Sequence, residues 1–146
     1  MCKSMRILLV LLLGWAAFNA EAQKPNILFI LADDMSYPYL GVYGNRNVST
    51  PNIDRIAKQG MTFTQAYCSS PSCTPSRASI LTGKYPHTLG EGVNLTGRLM
   101  SNIPTYVKLL LAEGYDVAFD RKGWGPGDFT KGGYAENPAG RQQVFD

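Results

Sequence analysis

An uninterrupted apolar run at residues 25–32 constrains the fold more than any other stretch of the chain. It reads Pro-Asn-Ile-Leu-Phe-Ile-Leu-Ala and is followed by the acidic pair Asp33 and Asp34. The run is short for a helix, and side chains that are apolar on both faces are typical of a central strand in a parallel sheet. The pattern therefore predicts an α/β fold whose sheet contains this strand.

Asp33 and Asp34 come directly after the predicted strand, at the edge where open α/β sheets bind their ligands. Two adjacent carboxylates repel each other unless a cation lies between them, and carboxylate oxygens suit Ca²⁺ or Mg²⁺. The pair is therefore a candidate metal site, and a solvated acidic turn is the alternative.

Other segments extend the α/β pattern along the chain. Residues 50–60 and 104–113 have the spacing of short amphipathic helices, whereas residues 61–67 and 115–119 have the composition of strands. Strands that alternate with helices predict parallel βαβ units with right-handed crossovers. After residue 128 the Gly, Asn and Pro content predicts loop.

Residues 73–77 read Cys-Thr-Pro-Ser-Arg and begin a short predicted helix. We expect Thr74 to be its N-cap, Pro75 its first residue and Gly83 its stop. A helix start offers backbone N–H groups and the positive end of the dipole to an anion. Arg77 adds a planar cation that matches a tetrahedral oxyanion. The stretch predicts a nucleophile beside an anion site, with a buried structural cysteine as the alternative.

The first 22 residues have the pattern of a signal peptide, with a basic start, an apolar stretch at residues 7–18 and a cleavage site after Ala22. The apolar stretch is shorter than the roughly 20 residues that span a bilayer. We therefore expect export to the periplasm or the medium. Cleavage would leave Cys68 and Cys73, and an oxidising compartment would allow a disulfide between them.

Composition indicates a globular protein, with 45% hydrophobic and 17% charged residues among 146. The net charge of +3 is small and scattered, and no basic run is longer than two residues. Nucleic-acid binding normally requires a concentrated basic surface. We expect no nucleic-acid partner and, after signal cleavage, no membrane partner.

The run at residues 73–77, with Leu-Thr-Gly following at 81–83, resembles the Cys-x-Pro-Ser-Arg signature of the sulfatases. Residues 25–34 and 50–54 resemble other segments of that family. The resemblance implies an alkaline-phosphatase-like fold, with a mixed, mostly parallel sheet flanked by helices. It also implies that a maturation enzyme converts Cys73 to formylglycine, the nucleophile that attacks a sulfated small molecule or glycan.

The resemblance further implies a calcium site formed by Asp33, Asp34 and the modified residue 73. Lys122 matches the lysine of the family's Gly-Lys-x-His segment, which contacts the sulfate, but Trp124 stands in place of the histidine. The general acid is therefore not carried over. The Gly-rich sequence that follows Lys122 is most similar to bacterial sulfatases of the heparan N-sulfatase type. His87, the chain's one histidine, is predicted to be structural or solvated.

The resemblance covers nearly all of residues 23–146 but only the first third or less of a sulfatase. We therefore expect a truncated N-terminal portion of the catalytic domain that is inactive by itself. Three alternatives remain at this point. They are a phosphonate or phosphate ester hydrolase with the same signature, a non-catalytic carbohydrate-binding protein on a sulfatase scaffold, and a small secreted module linked by a Cys68–Cys73 disulfide.

Overall fold

The computed structural model describes residues 24–143, so the predicted signal peptide at residues 1–22 lies outside the described residues. The chain forms two compact units, one that ends at Thr62 and one that begins at Phe63. Within residues 24–143, no helix has the length and apolar composition that a membrane crossing requires.

Among residues 24–62 of the first unit, the structure has the α-helix α1 (Pro51–Gln59), as predicted. Thr50 lies at its N-cap, but the Thr50 hydroxyl accepts a bond from Gly41 N (2.8 Å) and donates to Asp54 Oδ1 (3.0 Å) instead of capping the helix. Asp54 Oδ1 also accepts from Val42 N (2.8 Å). These bonds attach the preceding turn to the first turn of α1.

The predicted strand at residues 25–32 is wrong, and so is the one at residues 61–67. Neither segment pairs with another, and the apolar side chains of the first are exposed, from 44% at Leu31 to 84% at Leu28. A strand forms only where a neighbour completes its backbone hydrogen bonds. Among residues 24–143 the single ladder lies elsewhere in the chain, so these runs have no partner there.

Two α-helices lie in the second unit, α2 (Cys73–Thr82) and α3 (Tyr106–Ala112). Helix α3 begins two residues later than predicted because Thr105 caps it, accepting a bond from Lys108 N (3.2 Å). Gly114, the predicted stop, follows with a left-handed φ of 81°. The capping hydroxyl thus sets the start of α3.

Helix α2 begins at Cys73 with Ser72 as its N-cap, so the prediction that Thr74 caps the helix is wrong. The Thr74 hydroxyl is fully buried and donates to Leu95 O (2.5 Å), and it accepts from Gly127 N (3.1 Å). It is therefore engaged by two loops and does not serve its own helix. Gly83 ends α2 as predicted, with a φ of 67°.

The sheet of the second unit is a parallel pair, β1 (Ala118–Asp120) and β2 (Arg141–Gln143). The strand predicted at residues 115–119 is displaced, and β2 lies where loop was predicted. The α/β class itself is confirmed, since helices accompany a parallel strand pair. Gly140 precedes β2 with a φ of 110°, and a Cβ there would lie 2.6 Å from Val117 O. Only a glycine allows these two segments of the chain to approach this closely.

The core of the second unit is small and gathers around α2. Burial of a large apolar side chain contributes about 1.5–3 kcal/mol, so a few such residues carry most of the packing energy. The apolar face of α3 is only partly buried, because the side chain of Leu111 is 50% exposed. The buried apolar side chains are Ala78, Leu81, Leu89, Leu99, Val107 and Trp124.

Candidate active site

Cys73 is the first residue of α2, and its thiol is half-buried. Helix geometry leaves the N–H groups of Cys73 and Thr74 without a partner inside the helix, and Pro75 has none. Cys68 is exposed, and both cysteines are free thiols. The disulfide alternative is therefore not what this structure contains, and Cys73 remains available for chemistry.

Lys122 lies against this thiol. Its Nζ donates to Cys73 Sγ at 3.5 Å, although 49 positions separate the two residues. Lys122 follows β1 after Arg121, whose left-handed backbone (φ 62°) is uncommon for a residue with a side chain. The segment that follows the carboxyl end of β1 and the amino end of α2 therefore meet.

Arg77 lies one turn beyond Cys73 on α2. Its Nη1 donates to the backbone oxygens of Lys122 (2.9 Å) and Gly123 (3.0 Å). The structure thus brings together Cys73, Arg77 and Lys122, three of the predicted site residues. Part of the Arg77 fork binds the loop that carries Lys122, in addition to the anion contact that we predicted for it.

Asn137 lies beside these residues, and the sequence analysis assigned it no role in the site. Its Oδ1 accepts from Trp124 N (2.9 Å), and its Nδ2 donates to Trp124 O (2.9 Å). Oδ1 also accepts from Ala139 N (3.0 Å), which makes an Asx turn. The Asn-Pro sequence at 137–138 was the available signal, since it favours turns. The amide partner of the turn could not be read from it.

Trp124 itself is 3% exposed and belongs to the core. An indole N–H does not titrate in water, so Trp124 cannot act as the general acid that a histidine would be. His87 is exposed on a 3₁₀ turn and stacks on Tyr85, with 5.8 Å between ring centroids. This placement agrees with the prediction of a structural or solvated histidine.

The loop ends at Asp128, which stays ionised at neutral pH. Its Oδ1 accepts a bond from the Thr130 hydroxyl (2.6 Å) and another from Lys131 N (3.1 Å). These bonds, the Thr130 one first, lower the pKa of Asp128 to about 2. A backbone bond from Asp128 N to Gly97 O (2.9 Å) holds the loop end in place.

Gly127 is packed so closely that a side chain would displace the loop. A Cβ there would lie 2.5 Å from Gly97 O and 2.6 Å from the Trp124 ring, whereas at Gly125 nothing lies within 4 Å. We expect Gly127→Ala to destabilise the complete protein by about 2 kcal/mol, as overpacking does. Gly125→Ala is the matched control. Equal unfolding midpoints in denaturant for the two variants would contradict the packing seen here.

Asp33 and Asp34 lie in the first unit, in an exposed bend where Asp34 has a φ of 60°. Their carboxylates have the donor chemistry of a hard-cation site. Calcium takes about six to eight oxygens, however, and residues 24–143 hold no cluster of three or more His, Cys, Asp or Glu side chains that could bind a metal. Residues 24–143 therefore do not contain a complete calcium site.

An open cavity of ≈ 480 Å³ lies along α2, beside the side chains of Ser76, Ser79 and Ile80. Cys73, Arg77 and Lys122 are not among the residues that line it. The group formed by Cys73, Arg77 and Lys122 therefore lies outside this cavity.

The described residues thus form an α/β protein in which a cysteine at a helix start is contacted by a lysine that follows a strand of a parallel pair. Residues 25–144 match the model of the Sulfatase family. The chain belongs to the sulfatase family, as the signature at residues 73–77 predicted.

The relatives of this chain include sulfatases from animals and bacteria. It is 42% identical to the human steryl-sulfatase over 120 residues, which cover 75% of this chain and 21% of that protein. It is 41% identical to an ulvan-active sulfatase of Formosa agariphila over 126 residues, covering 86% and 24%. Identity to bovine arylsulfatase A is 43% over 116 residues, covering 76% and 23%. The chain thus spans less than a quarter of the length of these relatives.

Proposed function

We propose that the complete protein hydrolyses sulfate esters and that Cys73, converted to formylglycine, is its nucleophile. The contact between Lys122 Nζ and Cys73 Sγ at 3.5 Å carries the proposal. In that contact the sulfur atom stands in for an oxygen of the hydrated aldehyde. Family membership supports the proposal, because sulfatases generally use formylglycine and a divalent metal.

The residues around position 73 have separate tasks in this reaction. When present, the hydrated aldehyde would supply one hydroxyl that loses its proton and bonds to sulfur while the ester S–O bond breaks and the alcohol leaves with a proton. It would also supply a second hydroxyl, whose deprotonation re-forms the aldehyde C=O as the C–O bond to sulfate breaks. Lys122 stabilises the negative charge that develops on the sulfate oxygens. The N–H groups at the start of α2 add to the same field. Arg77 adds a second positive charge beside that of Lys122, and it holds the Lys122 backbone in place.

Asp33 and Asp34 would hold part of a calcium ion's coordination shell. When bound, the ion supplies a Lewis acid for the sulfate group. The two carboxylates are adjacent and exposed, so their mutual repulsion would favour a cation between them.

A sulfated glycan is the substrate class that we propose, with an N-sulfate as a second possibility. The similarity to a sulfatase named as active on ulvan supports the first, and the Gly-rich loop after Lys122 supports the second. Export through the signal peptide at residues 1–22 is part of the same proposal. The partner required on the way is a formylglycine-generating or other sulfatase-maturating enzyme.

Paired activity measurements test the proposal. The complete protein, co-expressed with a formylglycine-generating enzyme, should hydrolyse an aryl sulfate faster than the matching aryl phosphate. The reverse ratio would favour the phosphate or phosphonate ester hydrolase. An absence of turnover on both, in protein that carries the aldehyde, would favour the non-catalytic carbohydrate-binding alternative.

Lys122→Met should lower kcat/KM for an aryl sulfate by roughly 10²–10³-fold, the typical cost of removing one donor to a developing oxyanion. The substitution keeps the apolar stem and removes only the charge. Lys58→Met is the control, because Lys58 is exposed at the end of α1. Steady-state kinetics of the two variants show whether Lys122 contributes to kcat/KM. A Lys122→Met enzyme with wild-type kcat/KM would remove Lys122 from the site.

A further inference from the structure

The backbone next to Lys122 is held from two sides. On one side, Arg77 binds the carbonyl oxygens of Lys122 and Gly123. On the other, the Asn137 carboxamide binds both backbone polar groups of Trp124, as donor and as acceptor. We propose that Asn137 is a positioning residue of the active site, which holds the Lys122 ammonium against residue 73. The inference rests on the function proposed above.

The carboxamide is well suited to this position because it presents a donor and an acceptor together. A backbone N–H and C=O that lose their partners in a part-buried loop leave two polar groups unsatisfied. The approach is close as well, since a Cβ on Gly123 would lie 2.8 Å from Asn137 Oδ1. A glycine before Trp124 is therefore what allows the amide to reach the backbone.

Asn137 is itself fixed to the strand pair. Its Oδ1 closes the turn to Ala139, and its carbonyl oxygen accepts from Gly140 N (2.9 Å). Strand β2 begins at the next residue, Arg141, and pairs in parallel with β1. The chain leaves β1 two residues before Lys122. The loop that carries Lys122 therefore leaves the end of β1, and the turn that holds Asn137 leads into the neighbouring strand β2.

This anchoring has a catalytic consequence because lysine is a point charge on a flexible stem. The position of the Lys122 ammonium depends on where its backbone lies. A misplacement of about 1 Å in a catalytic group can cost on the order of 10²-fold in rate. Loss of the hydrogen bonds from Asn137 should therefore weaken sulfate binding and catalysis because Lys122 is displaced, and not because a contact between Asn137 and sulfate is lost.

A double-mutant cycle in the complete enzyme tests this. The variants are Asn137→Ala, Lys122→Met and the pair, and the readouts are kcat/KM for an aryl sulfate and the Kd of inorganic sulfate. We expect Asn137→Ala to lower kcat/KM about 10- to 100-fold, by analogy with the cost of misplacing a catalytic group. We expect the same substitution to have little effect on either readout once Lys122 is Met. Additive effects in both readouts would overturn the proposal.

Asn137→Ser keeps the cycle informative if the alanine variant unfolds. Its hydroxyl can accept from Ala139 N and adds no charge near the sulfate, but it gives up the paired bonds to Trp124, so its effect should again be absent beside Lys122→Met. Asn102→Ala, at an exposed loop position, should match the wild type. Sulfate binding separates the two proposals. If the effects of the two substitutions on the Kd of sulfate are non-additive but the enzyme has no turnover, only the proposed function is refuted. If the wild type binds no sulfate, the proposed role of Asn137 is overturned.

Discussion

Cys73→Ala is expected to lower aryl sulfate hydrolysis by the complete protein roughly 10⁴-fold or more, as loss of a nucleophile does in enzymes with covalent catalysis. The alanine leaves the helix start and the Lys122 loop unchanged, so the variant should keep the wild-type melting temperature. Peptide mass spectrometry of the wild type should show an aldehyde at position 73, where oxygen has replaced sulfur.

Cys68→Ala is the matched control for this experiment, because Cys68 is an exposed free thiol outside the helix. It should retain full activity and full aldehyde content at position 73. A wild-type thiol that persists at Cys73, under conditions that convert another sulfatase, would contradict the maturation proposal. Activity that survives in Cys73→Ala would contradict the choice of nucleophile.

Asp33→Ala and Asp34→Ala should each abolish most of the activity and reduce the stabilisation of the complete protein by calcium. A ligand that binds only the native state stabilises it by about 2.7 kcal/mol at a concentration of 100 Kd. A weakened site should therefore show a smaller rise in melting temperature across a calcium titration. The titration reports on the site independently of turnover.

Asp116→Ala is the control for the calcium titration. Asp116 forms an exposed ion pair with Arg141 (3.0 Å), and such surface pairs contribute little to stability. Asp54 is unsuitable for this purpose, since its carboxylate binds Val42 N and the Thr50 hydroxyl. If both Asp33→Ala and Asp34→Ala respond to calcium as the wild type does, the pair is a solvated turn.

The helices could be predicted because their signals are local. Gly83 has the left-handed backbone that ends α2, and Gly114 has the one that follows α3. Errors appear where a local signal competes with a distant partner. Thr74 has the chemistry of an N-cap, yet its hydroxyl is engaged by Leu95 and Gly127, more than 20 positions away. The local sequence pattern gives no information about these distant hydrogen-bond partners.

The strands were predicted less well for the same physical reason. The apolar character of residues 25–32 indicates a segment that favours burial, but pairing depends on a neighbour that the pattern does not identify. In the site, the pairing of Cys73 with Lys122 could be anticipated from the family signature. Asn137 could not, because its role arises from the amide and carbonyl of Trp124, which every non-proline residue possesses.

Arg77 and Asn137 both bind main-chain atoms of the loop that carries Lys122, so their hydrogen bonds do not depend on which side chains the loop has. Arg77 and Asn137 contact carbonyl oxygens and an amide that would persist whatever side chains the loop carried. Exchange of a neighbouring side chain, such as tryptophan where the family has histidine, can therefore leave the lysine where it is. The side chains around Lys122 can therefore change without moving its backbone, and a comparison of backbone hydrogen bonds would recognise this loop arrangement where the surrounding sequence differs.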